Sequence, residues 1–179
     1  MDEINQKKIV VVGSRRCSEY GIAVTKDIVG RLAAKGVVIV SGLATGIDTV
    51  AHEAAMEVHG KTLGILGYGF GFLKQNKETS NLVRKLVESG NKVFSPFKKS
   101  QRPTRNTFIY RNKKMIEMAD VVIIIEATVE GGSMSIAQMA MEAGKPVFAV
   151  PGSIFSYTSQ GTNLLIKNGA TPLTSADDL

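Results

Sequence analysis

Val37-Val-Ile-Val-Ser-Gly-Leu-Ala-Thr-Gly-Ile-Asp48 is the stretch on which the reading of this chain turns. Four β-branched residues, Val37 to Val40, predict a short strand buried on both faces, the kind found inside a parallel sheet. Ser41-Gly42 ends it. From Ile47 onward apolar residues recur at helical spacing: Ile47, Val50, Ala51, Ala54, Ala55 and Val58. A strand, a loop of small residues and a helix N-terminus together form an anion site, because free backbone N–H groups and the positive helix end converge. The same pattern also suits a tight turn with no ligand, since glycine serves both. Repetition along the chain separates the two readings.

The pattern does repeat. Lys8–Val12 reads as a strand ending at Gly13-Ser14-Arg15-Arg16, and residues 20–35 as a helix stopped by Gly36. After the central strand and a helix over 47–59, residues 62–66 predict a third strand running into Gly67-Tyr-Gly-Phe-Gly71. A helix over 80–88, a strand over 92–95 and a helix over 104–118 follow. Val121-Val-Ile-Ile-Ile125 is the most apolar strand; a helix over 133–143 and a strand over 146–150 close the series. Loop 67–79 and segment 96–106 read as irregular. Alternating strands and helices predict an α/β fold, a Rossmann-like three-layer sandwich with a mostly parallel sheet and helices on both faces.

Composition sets limits. The 179 residues are 44% hydrophobic, enough for a full core in a single domain over 1–179. No apolar run approaches the ~20 residues of a membrane span. Met1-Asp-Glu-Ile-Asn-Gln is acidic and unlike a secretory leader. One cysteine, Cys17, excludes an internal disulfide, so the expectation is a cytoplasmic protein. The net charge of +6 is compatible with a polyanion partner. Lys98, Lys99, Arg102, Arg105, Arg111, Lys113 and Lys114 share one acid-free stretch, which suits either a solvated face or a phosphate track.

In a parallel sheet the loops after the strands gather along one edge, where ligands bind. Here these loops are Gly13-Ser14-Arg15, Ser41-Gly42 to Gly46, Gly67 to Gly71, Gly131-Gly132-Ser133, and Pro151-Gly152-Ser153 leading to Gly161-Thr162-Asn163. Together they predict a phosphate-lined groove. Little other chemistry is legible. His52 and His59 share a predicted helix face, but no acidic or cysteine cluster completes a metal site. Cys17 beside Arg15 and Arg16 invites a lowered thiol pKa. Met134, Met139 and Met141 offer apolar surface for packing or a dimer seam.

Val12-Gly-Ser-Arg15 with Tyr20-Gly21, Ser41-Gly-Leu-Ala-Thr-Gly-Ile-Asp48 with Ala51-His52, Phe108 to Arg111-Asn112, Glu126-Ala127 before Gly132-Ser133, and Val150-Pro-Gly-Ser153 before Gly161-Thr-Asn163 and Gly169-Ala170 resemble the DprA/Smf family. Order and spacing match over about Ile9 to Leu179. The resemblance implies a cytosolic bacterial protein that binds single-stranded DNA, dimerises and hands the strand to a RecA-type recombinase, chiefly in natural transformation, with neither enzymatic activity nor cofactor. It implies a phosphate clamp at Arg15, flanked by Gly13 and Ser14, and a second phosphate contact at Arg111 with Asn112 and Lys113. Ser41, Gly42 and Gly46 would allow close backbone approach, Gly132 and Ser133 would donate, and Gly152 and Asn163 would line the far side. Phe108 reads as a core anchor or a base-stacking ring, and Tyr68 is open between the same two roles.

The match has departures. Gly69-Phe-Gly-Phe72 replaces the family's tyrosine–proline pair, Ser95-Pro96 its serine–glutamate, and Lys113 the last member of its Arg-Asn-Arg. Gly132-Ser-Met-Ser-Ile-Ala137 shifts a hydroxyl, and Cys17 stands where proline is common. The flanking helical domains of many members are not in this sequence. Two other readings compete. The related Lonely Guy phosphoribohydrolases carry carboxylates where this chain has Ala137 and Gln138, so the base for glycoside chemistry is missing. A sensor for a small nucleotide would suit the same loops. A dinucleotide dehydrogenase is disfavoured by the glycine spacing.

Overall fold

The computed structural model describes residues 6–179; residues 1–5, most of the segment read as unlike a leader, lie outside them. Seven strands form one sheet: β1 (Lys8–Val12), β2 (Val38–Ser41), β3 (Thr62–Ile65), β4 (Lys92–Phe94), β5 (Val121–Ile124), β6 (Val147–Ala149) and β7 (Thr171–Pro172). Their spatial order is β4-β3-β2-β1-β5-β6-β7, and every pairing is parallel. The helices are α1 (Glu19–Ala34), α2 (Ile47–Glu57), α3 (Lys77–Glu88), α4 (Arg105–Met118), α5 (Gly132–Glu142) and α6 (Gln160–Lys167). The expected three-layer α/β architecture is the observed one.

The period-2 alternation of β1 explains the two cores. Ile9 and Val11 face the layer holding α1 and α2, whereas Val10 and Val12 face α4, α5 and α6. A third cluster, with Leu43, Leu66, Leu82, Val83 and Leu86, lies under α3. The chain first walks outward from β1 to β4, then crosses back through α4 to β5 on the other side of β1. Right-handed crossovers put helices of outward and returning halves on opposite faces. The carboxyl ends of β1 and β5 therefore diverge at a topological switch point, where an open sheet binds its ligands.

Several details differ from the expectation. Val37 and Val38 are only half-buried, because the start of β2 sits at the open amino edge of the sheet. Helix α3 starts earlier than expected, at Lys77, because the Asn76 side chain accepts from Thr79 N and caps it. Part of the expected loop is a 3₁₀ turn over Phe70–Gln75. Helix α6 and β7 were masked in the sequence by their shortness and by Gly161, Gly169 and Pro172. His59 lies beyond the end of α2 with φ 53°, so it does not share a helical face with His52. Met134, Met139 and Met141 pack against the α4–α5 core. Among the described residues no helix is long and apolar enough to cross a membrane.

Candidate functional site

At the switch point lies a cleft of about 690 Å³, bordered by Gly13, Ser14, Arg15 and Arg16 after β1, by Asp48 of α2, by Phe108, Arg111 and Asn112 of α4, and by Gly131–Ser133 at the start of α5. A smaller recess of about 140 Å³ adjoins it under the loop after β2, and shares Arg15, Ala44, Phe108 and Arg111 with it. Sequence and topology thus bring the expected loops after β1, β2 and β5 to the cleft, together with Tyr157 and Thr158 of the loop after β6, and Gly67 and Tyr68 of the loop after β3 to the recess.

Helix α4 supplies one wall through its periodicity. Phe108, Arg111, Asn112 and Met115 fall at helical spacing and face the cleft, while Ile109, Tyr110 and Lys113 are exposed on the outer side. Thr104 and Thr107 fix its start with a reciprocal capping box. Arg111 is only 6% exposed. Its Nη1 donates to the carbonyls of Gly42 and, at 2.6 Å, Ile65, and its Nε donates to Asn112 Oδ1 at 3.0 Å. The guanidinium thus ties the ends of β2 and β3 to α4 while bordering the cleft.

Asp48 is its counterpart. It is buried in the first turn of α2, and its Oδ2 accepts from Ala44 N at 3.3 Å. Burial pushes its carboxyl up to about 6, against the opposing pull of Arg111, the Ala44 and Gly42 N–H groups and Arg15. Burial in turn lowers the Arg111 pKa, with Asp48 resisting. A Cβ on Gly42 would stand 2.7 Å from Asp48 Oδ2 and 2.8 Å from Arg111 Nη1. The missing side chain at Gly42 therefore makes room first for the protein's own charged groups. Gly46 (φ 79°) likewise abuts Ser14 O and Arg15, and the Ile47 N–H donates to Ser14 O at 3.1 Å. The α2 terminus, expected to bind an anion, is occupied by internal groups.

The α5 terminus differs. Its N-cap, Gly131, like Gly46 at α2, makes no side-chain cap, but its first turn holds no acid and a Cβ on Gly132 would meet nothing within 4 Å. Ser133 is buried beside it and borders the cleft. Arg15 and Arg16 are exposed on the opposite loop. This half of the cleft presents unopposed donors and positive charge, the arrangement suited to phosphate.

The remaining expected site residues lie elsewhere. Ser41 is fully buried and donates to Val11 O at 2.7 Å, cross-linking β1 and β2. Lys113 is exposed on the outer face of α4. Gly152 and Asn163 bond each other, backbone to carboxamide, at 3.1 and 3.0 Å. Ser41, Gly46, Lys113, Gly152 and Asn163 border neither the cleft nor the recess. Tyr68 is only 7% exposed and meets Phe108 edge-on at 6.2 Å, so its ring is packed rather than offered to a base. Phe108, half-buried under Arg111 at 5.7 Å, anchors this packing and still borders the cleft.

Glu126 is the residue whose role the sequence does not disclose. This 1%-exposed carboxylate accepts from Ser18 N (2.8 Å), Ser18 Oγ (2.6 Å) and Thr158 Oγ1 (2.7 Å). It joins the loops after β1, β5 and β6; the sequence marks it only as a glutamate directly after the most apolar strand and as part of the Glu126-Ala127 match to the family, without a role. It also counters the expectation for Cys17: burial raises the thiol pKa, and Glu126 and Glu19 add to the rise against a local backbone hydrogen bond. His52 is fully buried, and burial, helped by Arg111, lowers its pKa to about 3. Thr62 Oγ1 donates to Ile39 O at 2.9 Å, so it accepts from His52 Nδ1–H at 2.7 Å and fixes the neutral tautomer.

Comparison with known proteins agrees with this architecture. The family model described as DNA recombination-mediator protein A matches residues 1–179. The chain is 36% identical to DNA processing protein DprA of Streptococcus pneumoniae, over 100% of this chain and 62% of that protein. It is 37% identical to protein Smf of Escherichia coli, over 96% of this chain and 46% of that one. The structure of DNA processing protein A from Helicobacter pylori, described for its single-stranded DNA binding mode, superposes with a TM-score of 0.85 at 30% identity, covering 96% of this chain and 77% of that one. The chain spans about half the length of the curated relatives it matches. With a family model matched end to end and the fold shared with solved relatives, this chain belongs to the DNA recombination-mediator protein A family.

Proposed function

We propose that this domain binds single-stranded DNA by its phosphates in the cleft between the loops after β1 and β5. The observation that carries this reading is the convergence there of exposed Arg15 and Arg16 with the uncapped α5 terminus. Arg15 is the principal clamp, because its fork is free to bind phosphate bidentately. Gly13, Ser14, Asn112, Gly132 and Ser133 supply close backbone approach and hydrogen-bonding groups. Arg111 sets the positive potential and holds the wall. Phosphate contacts position a strand without reading its sequence, so specificity is weak. The single-stranded DNA binding described for the Helicobacter pylori relative supports the reading.

The family's description as a recombination mediator supports a finer role, passing the strand to a RecA-type recombinase in recombination. Natural transformation, a cytoplasmic location, the lack of enzymatic activity and a homodimer are carried into this proposal from the DprA/Smf resemblance alone. Light scattering in solution and pull-down with a recombinase test those two partners. Residues 1–179 would act as one domain, whether or not other domains adjoin it.

Fluorescence anisotropy of a labelled oligo-dT, with AMP as competitor, tests the ligand class. Binding that AMP does not displace is expected. Binding of AMP alone would contradict it and favour a nucleotide sensor or hydrolase in the same cleft.

A further inference from the structure

The three most exposed large apolar side chains described, Phe155 (93%), Ile154 (77%) and Tyr157 (69%), occur in one loop after β6. That loop stands at the carboxyl edge of the sheet, and Tyr157 and Thr158 border the cleft. Exposure on this scale costs hydration free energy and asks for an occupant.

The loop is also held firmly at both ends. Tyr20 Oη donates to Pro151 O at 2.8 Å, and Gly152 is paired to Asn163. Ser153 turns the chain, its Oγ accepting from Phe155 N at 3.3 Å and its carbonyl from Ser156 N at 3.0 Å. Thr158 is fixed by Glu126, and its carbonyl accepts from Ala127 N at 2.8 Å. A rigid backbone thus presents aromatic faces beside a cationic cleft.

We propose that this loop is a base-stacking rim: Phe155 and Tyr157 take nucleobases of a single strand whose phosphates lie in the cleft. The proposal rests on the phosphate-binding reading above and extends it by giving the bases a side. Three observations favour nucleobases over a protein partner: Tyr157 belongs to both rim and cleft, Arg15 and Arg16 border the same cleft, and stacking accepts any base, as a phosphate-based site requires. A preorganised loop also lowers the ordering cost of binding.

The chain contains no tryptophan, so Phe155→Trp installs a single reporter. Stacking predicts that oligo-dT quenches its emission in parallel with the anisotropy rise of the labelled strand. It also predicts that Phe155→Ala and Tyr157→Ala weaken binding by roughly 5- to 100-fold each, with the salt slope unchanged. Strand binding without quenching, together with wild-type affinity in both alanine variants, would overturn the rim and leave the phosphate site standing. A fall in oligomeric state with unchanged DNA affinity would assign the loop to protein contact and overturn it equally. Absence of strand binding by the wild-type chain would remove both readings.

Discussion

The N-termini of α2 and α5 border the same cleft from opposite sides of the switch point, yet only one is open. Both follow a buried strand and a glycine-bearing loop, so sequence pattern makes them equivalent. At α2, the Ile47 N–H is taken by Ser14 O, and Asp48 and Arg111 fill the space beside Gly42. Neither helix has a side-chain cap, but at α5 the first turn holds no acid and Gly132 opens on free space. The first end is a structural hub whose charges offset each other; the second is the end proposed above to take phosphate. A Gly-rich βα turn is therefore not an anion site until its helix dipole is known to lack an internal partner.

Breaking the hub gives the largest expected effect. Arg111→Ala strands Asp48 and the Gly42 and Ile65 carbonyls, and should destabilise the fold by about 3–5 kcal/mol. Urea denaturation followed by circular dichroism measures it; a loss below about 1 kcal/mol would mean that Arg111 is not the strut described. Arg15→Ala acts on the open side. Loss of one charge-assisted phosphate contact should weaken oligo-dT binding about 10- to 100-fold, with stability changed by no more than about 0.5 kcal/mol. Glycine substitutions sharpen the contrast: Gly42→Ala meets Asp48 and Arg111 and should cost about 1–3 kcal/mol, whereas Gly132→Ala should be near neutral in the same assay.

The smallest effect is on pH. Asp48 titrates at about 6 in the fold against an ordinary value of 3.8. Because the folded value is raised, its contribution to stability is present below about pH 4 and is lost as pH rises through about 6. Protonation also removes the negative charge facing Arg111 and Arg15, so phosphate affinity should rise several-fold between pH 7 and 5. Asp48→Asn should flatten that part of the affinity profile; an unchanged slope would show that Asp48 does not set the cleft's potential.

The parallel α/β architecture was legible because buried β-branched runs alternate with helical periodicity; the strand order, with β1 and β5 central, came only from the fold. The Arg15 and Gly132-Ser133 loops were legible as candidate phosphate donors from their place after buried strands, and the fold brings both to the cleft. Arg111 was legible as part of the site, but its inward bonds depend on the packing of α4 against two strand ends. Asp48 and Glu126 act through burial, which spacing does not report. The exposed Phe155 and Tyr157 ran against the ordinary expectation that aromatic residues pack inward, and only the fold placed Tyr157 at the border of the cleft, with Phe155 in the same loop.

The most direct test is the salt dependence of oligo-dT affinity for the wild-type chain and Arg15→Ala. A strand held by several phosphates gives a steep linear fall of log affinity with log salt, at about 0.7 per phosphate neutralised, and Arg15→Ala should reduce that slope by about one contact. A shallow slope that is identical in the two proteins would contradict phosphate binding in this cleft.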